Sequence, residues 1–257
     1  MGKTVAVANQ KGGVGKTTTS INLAASLAFA GTDVLLIDTD PQCNSTSGLG
    51  IEQGGGAQGS LYDVYAGRRE FKDVIQPTCV DRLSLVPSSV DLLAVEIELV
   101  NRDGRERLLN EVIVQSRDKY KYIFVDCPPS LGLLTLNAMV AAGSVIVPMQ
   151  CEYYALEGLG SLTRTLKLVR GSFNPQLEIE GILLTMYDAR NTLSRQVADE
   201  IRRHFGDKVY DTVIPRNVTL AEAPSHGKPV LLYDARSRGA QSYLQLAKEM
   251  LNENGAG

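Results

Sequence analysis

Lys11-Gly12-Gly13-Val14-Gly15-Lys16-Thr17 follows the short β-branched run Lys3 to Asn9 (KTVAVAN). It opens a stretch, Thr17 to Ala30, with Ile21, Ala24, Leu27 and Ala28 on one helical face. A Gly-rich loop between a strand and a helix N-terminus turns backbone N–H groups and the positive end of the helix dipole toward an anion. The glycines let the main chain approach phosphates and take φ > 0, Lys16 can reach the β- and γ-phosphates, and the Thr17 hydroxyl can ligate Mg²⁺. The expected ATP contacts here are Lys11, Gly12, Gly13, Val14, Gly15, Lys16, Thr17 and Thr18.

Outward from the loop, Gly31 ends the helix and Val34 to Asp38 (VLLID) forms a second buried strand. Its continuous apolar character is what a parallel sheet covered on both faces requires. The alternation continues through strands at Leu83 to Val86, Tyr122 to Asp126, Ser144 to Val147 and Ile179 to Thr185. A further short strand is expected near Val209 to Ile214. Helices are expected after Asp103 and near Leu133 to Ala142, Leu156 to Val169, Leu193 to Phe205 and Ala240 to Leu251. This order predicts an α/β fold: one doubly wound, mostly parallel sheet with helices on both faces, spanning residues 1–257 as a single domain. Gln53 to Ser60 (QGGGAQGS) is too short for a domain linker and reads as a surface loop.

The 257 residues are 44% hydrophobic and 21% charged with no Trp, which excludes a disordered tail protein and fits a globular chain. Four widely spaced cysteines, Cys43, Cys79, Cys127 and Cys151, form no C-x-x-C pair, so reduced thiols in the cytoplasm are expected. The start Met1-Gly2-Lys3 runs straight into a strand, without the apolar core of a secretory signal. Cys127 to Cys151 lacks charge over a length that could cross a bilayer, but Pro128, Pro129, Gly132, Gly143 and Pro148 break it into loop, helix and strand. Net charge is −3, yet Arg190 to Lys248 holds ten Lys/Arg against six Asp/Glu, so the C-terminal quarter is locally basic. His204 and His226 stand alone, without the ligand spacing of a metal site.

Two strands after the loop end in Asp, and α/β sites form at the carboxyl ends of strands. Asp126 closes an apolar strand as a Walker B carboxylate does, which would place it on Mg²⁺ through water. The loop departs from the ordinary Walker A pattern, with Gln10 where a Gly is usual and an added lysine, Lys11. This form resembles the Walker-type ATPases of the ParA/MinD group. The resemblance implies that Lys11, which has no evident task in its own subunit, crosses a dimer interface to the partner's γ-phosphate. Asp38-Thr39-Asp40-Pro41-Gln42 is similar to that group's switch I, D-x-D-P-Q. By that likeness Asp38 helps organise the Mg²⁺ shell, Asp40 positions the attacking water, and Lys11, Lys16 and Asp40 form the catalytic set. Cys43 stands where the group often has Gly, which implies a stiffer switch.

The resemblance runs over nearly the whole chain and is strongest to ParA/Soj partition ATPases, through Tyr187 to Arg190, Ile214 to Asn217 and Glu222 to Gly227. It implies that Pro215 and Asn217 hold adenine and that an ATP-bound homodimer binds double-stranded DNA non-specifically. It also implies a ParB-like partner that stimulates hydrolysis, and a cytoplasmic, nucleoid-associated protein. Candidate DNA contacts are Arg190, Arg203, Lys228, Arg236 and Lys248, although Thr219 replaces a basic residue that relatives often carry. Two other readings stay open: a MinD-like membrane-bound positioner and an electron donor resembling the nitrogenase iron protein. Lys248 is the sole basic residue of Ser242 to Gly257, which disfavours anionic lipid, and only Cys127 lies beside the nucleotide motif.

Overall fold

The computed structural model describes residues 2–153 and 155–253, so residues 254–257, the end of the Ser242 to Gly257 segment, lie outside the described residues. Seven strands form one sheet: β1 (Lys3–Val7), β2 (Val34–Asp38), β3 (Gln76–Pro77), β4 (Leu83–Val86), β5 (Tyr122–Asp126), β6 (Ser144–Gln150) and β7 (Glu178–Thr185). Their spatial order is β3-β4-β2-β5-β1-β6-β7, parallel throughout except for the antiparallel β3–β4 edge. β2 and β5 are buried at every position, as their unbroken apolar runs require of strands covered on both faces.

The helices are α1 (Lys16–Phe29), α2 (Asn44–Gly48), α3 (Leu61–Tyr65), α4 (Leu92–Glu98), α5 (Leu108–Ile113) and α6 (Leu133–Ala141). After these come α7 (Ala155–Ser172), α8 (Thr192–Phe205), α9 (Val218–Glu222), α10 (Val230–Tyr233) and α11 (Arg238–Glu253). Two apolar layers sandwich the sheet. Side chains of α3 to α8 fill one, and α1 packs against α11 in the other. The doubly wound fold expected from the sequence is the fold observed.

Val209 to Ile214 does not form the expected strand. Val209 bridges Ile182 and Pro215 bridges Tyr187, but the N–H groups of Asp211 and Thr212 donate to the Glu249 carboxylate of α11 instead of a sheet ladder (2.6 and 3.0 Å). Gln53 to Ser60 is more structured than a plain surface loop. Gly54, Gly55 and Gly56 turn through positive φ, and buried Ser60 caps α3 in a capping box with Asp63. The uncharged stretch before Cys151 divides into α6 and β6, and no helix among the described residues is long and apolar enough to cross a membrane.

Candidate active site

The phosphate loop is shaped by its glycines in two ways. Gly13 and Gly15 sit at φ +73° and +88°, where an L side chain costs about 1–2 kcal/mol, and Gly15 is the N-cap of α1. Gly12 has neither a positive φ nor a neighbour within 4 Å of an added Cβ, so its lack of a side chain leaves open space at the mouth of the loop. Val14 is buried and its carbonyl accepts from the Thr185 hydroxyl of β7, which anchors the loop to the sheet (2.8 Å). The Lys16 side chain curls inward, its Nζ donating to the Lys11 carbonyl at 3.1 Å. Burial lowers its pKa, against the pull of the Asp126 and Asp40 carboxylates.

β2 and β5 pair in register at their last residues, so Asp38 lies directly beside Asp126. Both are fully buried. The Ser20 and Ser45 hydroxyls donate to the two Asp126 oxygens (2.9 and 2.7 Å), and Thr17 lies beside this carboxylate. Thr46 donates its N–H and its hydroxyl to Asp38 Oδ2 (2.8 and 2.7 Å), while the Asp40 N–H donates to Oδ1 (3.1 Å). Burial pushes both carboxyl groups above the usual carboxylate range, and Asp126 pushes Asp38 further. Two adjacent buried carboxylates with no ion pair to Lys or Arg among the described residues are costly unless a cation neutralises them. Hard oxygen donors from Thr17, Asp38 and Asp126 suit Mg²⁺, and the serine bonds to Asp126 suit contact through water.

Asp40 begins a turn that is itself fixed. Its Oδ1 accepts from the Gln42 N–H, and its carbonyl accepts from the Ser88 hydroxyl (2.6 Å) and the Cys43 N–H. Cys43 caps α2 at φ +55°, the left-handed region that glycine occupies without strain. This accounts physically for a glycine preference at the position. Cys127 is wholly buried and its thiol is pushed up by burial, the behaviour of a structural thiol.

Lys11 has a task in its own subunit that the sequence reading missed. Its Nζ pairs with Glu152 Oε2 at 2.5 Å, with both side chains about half exposed at 49% and 51%. An exposed pair of this kind contributes roughly 0–1 kcal/mol, so it orients Lys11 without locking it.

A cavity of about 340 Å³ adjoins Gly15 and Thr18, lined also by Pro215, Asn217, Met186 and Tyr243. Asn217 caps α9 through its Oδ1, and the bridge to Tyr187 fixes Pro215. Its mainly apolar walls beside the phosphate loop suit a purine base. A larger cavity of about 410 Å³, lined by Lys3, Arg107 and Arg117, opens at the amino ends of the strands, away from the carboxylates.

The five basic candidates are exposed but dispersed. Arg190 grips Asp188 through two bonds of 3.1 Å and Arg203 pairs with Glu200 at 2.7 Å. Arg203 belongs to α8 and Lys248 to α11, whose buried faces join opposite layers of the sheet. Lys228 and Arg236 carry no ion pair among the described residues. Arg164, Lys167 and Arg170 add exposed positive charge along α7, outside the stretch that the charge count singled out. His204 lies beside Glu200 and His226 stacks on Tyr233, and neither belongs to a cluster of three or more His, Cys, Asp or Glu side chains that could hold a metal among the described residues.

The family model described as "AAA domain" matches residues 2–179. The chain is 56% identical to the sporulation initiation inhibitor protein Soj of Bacillus subtilis, covering 97% of this chain and 98% of that protein. It is 54% identical to the chromosome partitioning protein ParA of Caulobacter vibrioides, over 97% and 94% of the two chains. Among solved structures it resembles cobyrinic acid a,c-diamide synthase from Mycobacterium smegmatis with bound ADP and magnesium. That match has a TM-score of 0.87 at 36% identity and covers 100% of this chain and 97% of that one. With near-complete coverage at such identity, the chain belongs to the Soj/ParA family of chromosome-partitioning ATPases.

Proposed function

We propose that this chain is one ATPase domain that binds ATP and Mg²⁺, pairs with a second copy when ATP is bound, and in that form holds double-stranded DNA without sequence preference. A ParB-like partner accelerates a slow hydrolysis, which separates the copies and releases the DNA. The observation that carries this reading is the convergence of Lys16, Asp38, Asp40 and Asp126 at the carboxyl ends of the central strands, with the water-positioning residue on a separate hydrogen-bonded turn. Such a turn can be set or displaced by a partner while the phosphate cradle stays intact.

In this account Lys16 neutralises phosphate charge and Asp40 orients the attacking water. Bound Mg²⁺, near Thr17, Asp38 and Asp126, would stabilise charge developing on the phosphate oxygens. Lys11 exchanges Glu152 for the facing nucleotide, an exchange that the weak exposed pair permits. Two modest basic surfaces joined in a dimer bind more tightly than one, so ATP governs DNA attachment and a nucleoid location in the cytoplasm.

Filter binding tests this reading. DNA affinity should require ATP, fall steeply as salt rises and differ little between unrelated duplexes. Equal affinity with ADP and ATP, or strong preference for one sequence, contradicts it.

A further inference from the structure

Helix α4 is apolar on two sides. Leu92 and Val95 are buried in the core with Leu99 packed against it, while Val90, Leu93, Ile97 and Val100 are 59%, 61%, 77% and 56% exposed. The intervals of three, four and three residues align these four on one face, and turns on either side extend the helical path. A short helix with a second apolar face turned to water marks an interaction surface.

Charge states what covers it. Residues 90–101 carry Asp91, Glu96 and Glu98 and no Lys or Arg. Asp91 and Glu98 are exposed beside the stripe, and Glu98 also accepts from the Tyr62 hydroxyl at 3.1 Å. At the far end the exposed Arg102 is followed by the exposed Asp103, and Arg105 is tied to the Val100 carbonyl and to Glu106. A second copy docked through this face by a two-fold contact would bring acidic edges together, whereas a basic amphipathic helix matches both the apolar stripe and its border.

The stripe is also wired to the switch. Ser88, just before α4, donates its hydroxyl to the Asp40 carbonyl (2.6 Å) and its N–H to Thr46 Oγ1 (2.9 Å). Thr46 in turn holds Asp38. A displacement of α4 therefore reaches the Asp40 backbone directly and the Asp38 carboxylate through Thr46.

We propose that the Val90–Leu93–Ile97–Val100 face of α4 is the docking site for a basic amphipathic helix of the stimulating partner, and that Ser88 relays its arrival to Asp40. This rests on the reading of the chain as a partner-stimulated ATPase. The test uses the full chain with ATP and a fluorescein-labelled leucine/lysine helix that repeats leucine at i, i+3, i+4 and i+7. Its glutamate counterpart and a scrambled lysine sequence serve as comparisons.

Fluorescence anisotropy should show the lysine helix bound at least about tenfold more tightly than either comparison. Leu93→Ser/Ile97→Ser, two changes of exposed side chains, should weaken it at least about tenfold while ATP-dependent dimerisation persists. Glu98→Gln, which keeps an acceptor for Tyr62, should weaken it about threefold and flatten its salt dependence. Bound peptide should change the ATPase rate of the parent, and Ser88→Ala should keep the peptide affinity but lose that change. Unaltered binding by the double variant, or equal binding of the glutamate helix, overturns the docking site. Loss of dimerisation in the double variant assigns the stripe to contact between copies and equally overturns it. Binding with no change in the parent's rate overturns the relay. Failure of the underlying ATPase reading registers separately, as loss of ATP-dependent mass and DNA binding in the parent.

Discussion

The phosphate loop and its carboxylates are buried and bonded to named partners, whereas the basic side chains of the C-terminal quarter are exposed, scattered over both faces and in part already paired. The difference follows from what each task demands. Cradling phosphate requires backbone groups at fixed spacing, so it is concentrated in a few consecutive residues. Attraction to a polyanion depends on summed charge and tolerates many arrangements, so no spacing marks it.

The largest effect expected from that contrast is at Lys16. Lys16→Ala should reduce ATP hydrolysis at least about a hundredfold in a steady-state assay, because Lys16 is the one buried lysine or arginine among the described residues. A rate near that of the parent would break the contrast at its stronger side. Asp40→Ala should slow hydrolysis by about 10²–10⁴ while calorimetry shows ATP affinity retained, since the phosphate loop is untouched. Loss of ATP affinity would move Asp40 into the metal shell.

Thr46→Val sharpens the comparison from the side of stability. It deletes a buried hydroxyl that donates to Asp38 and accepts from the Ser88 N–H, and should destabilise the protein by about 1–3 kcal/mol in denaturant titration. A change within 0.5 kcal/mol of zero, to order of magnitude, would mean that the network is not holding Asp38. The smallest effects belong to the basic surface. Arg236→Ala should lower DNA affinity several-fold and reduce the salt slope by about one. Arg203→Ala should do less, because Glu200 already neutralises part of its charge. The reverse order would show that ion pairing does not rank these residues.

Legibility in the sequence divides along the same line. β2 and β5 are visible as apolar runs ending in Asp38 and Asp126, but their adjacency is not, because β5 inserts between the consecutive strands β1 and β2. Ser20, Ser45, Thr46 and Ser88 were not singled out, because isolated hydroxyl residues are too common to signal anything until the fold brings them to a carboxylate. Glu152 lies 141 residues from Lys11, a pairing that only the approach of β6 to the loop creates. Met186 and Tyr243 reach the base cavity from β7's end and from the final helix, again through tertiary packing. The short helices α2, α3, α9 and α10 span four or five residues, too few for a helical period to be read. The segment at Val209 to Ile214 has strand-like composition and the Tyr210 and Ile214 N–H groups donate to β7 carbonyls, but Glu249 takes the Thr212 N–H between them.

The central claim is that ATP joins two copies through Lys11, and light scattering on the Asp40→Ala chain tests it most directly. With ATP and Mg²⁺ the mass should be that of two chains, with ADP that of one, and adding Lys11→Ala should return the ATP sample to one. The same mass in all three samples would contradict the account.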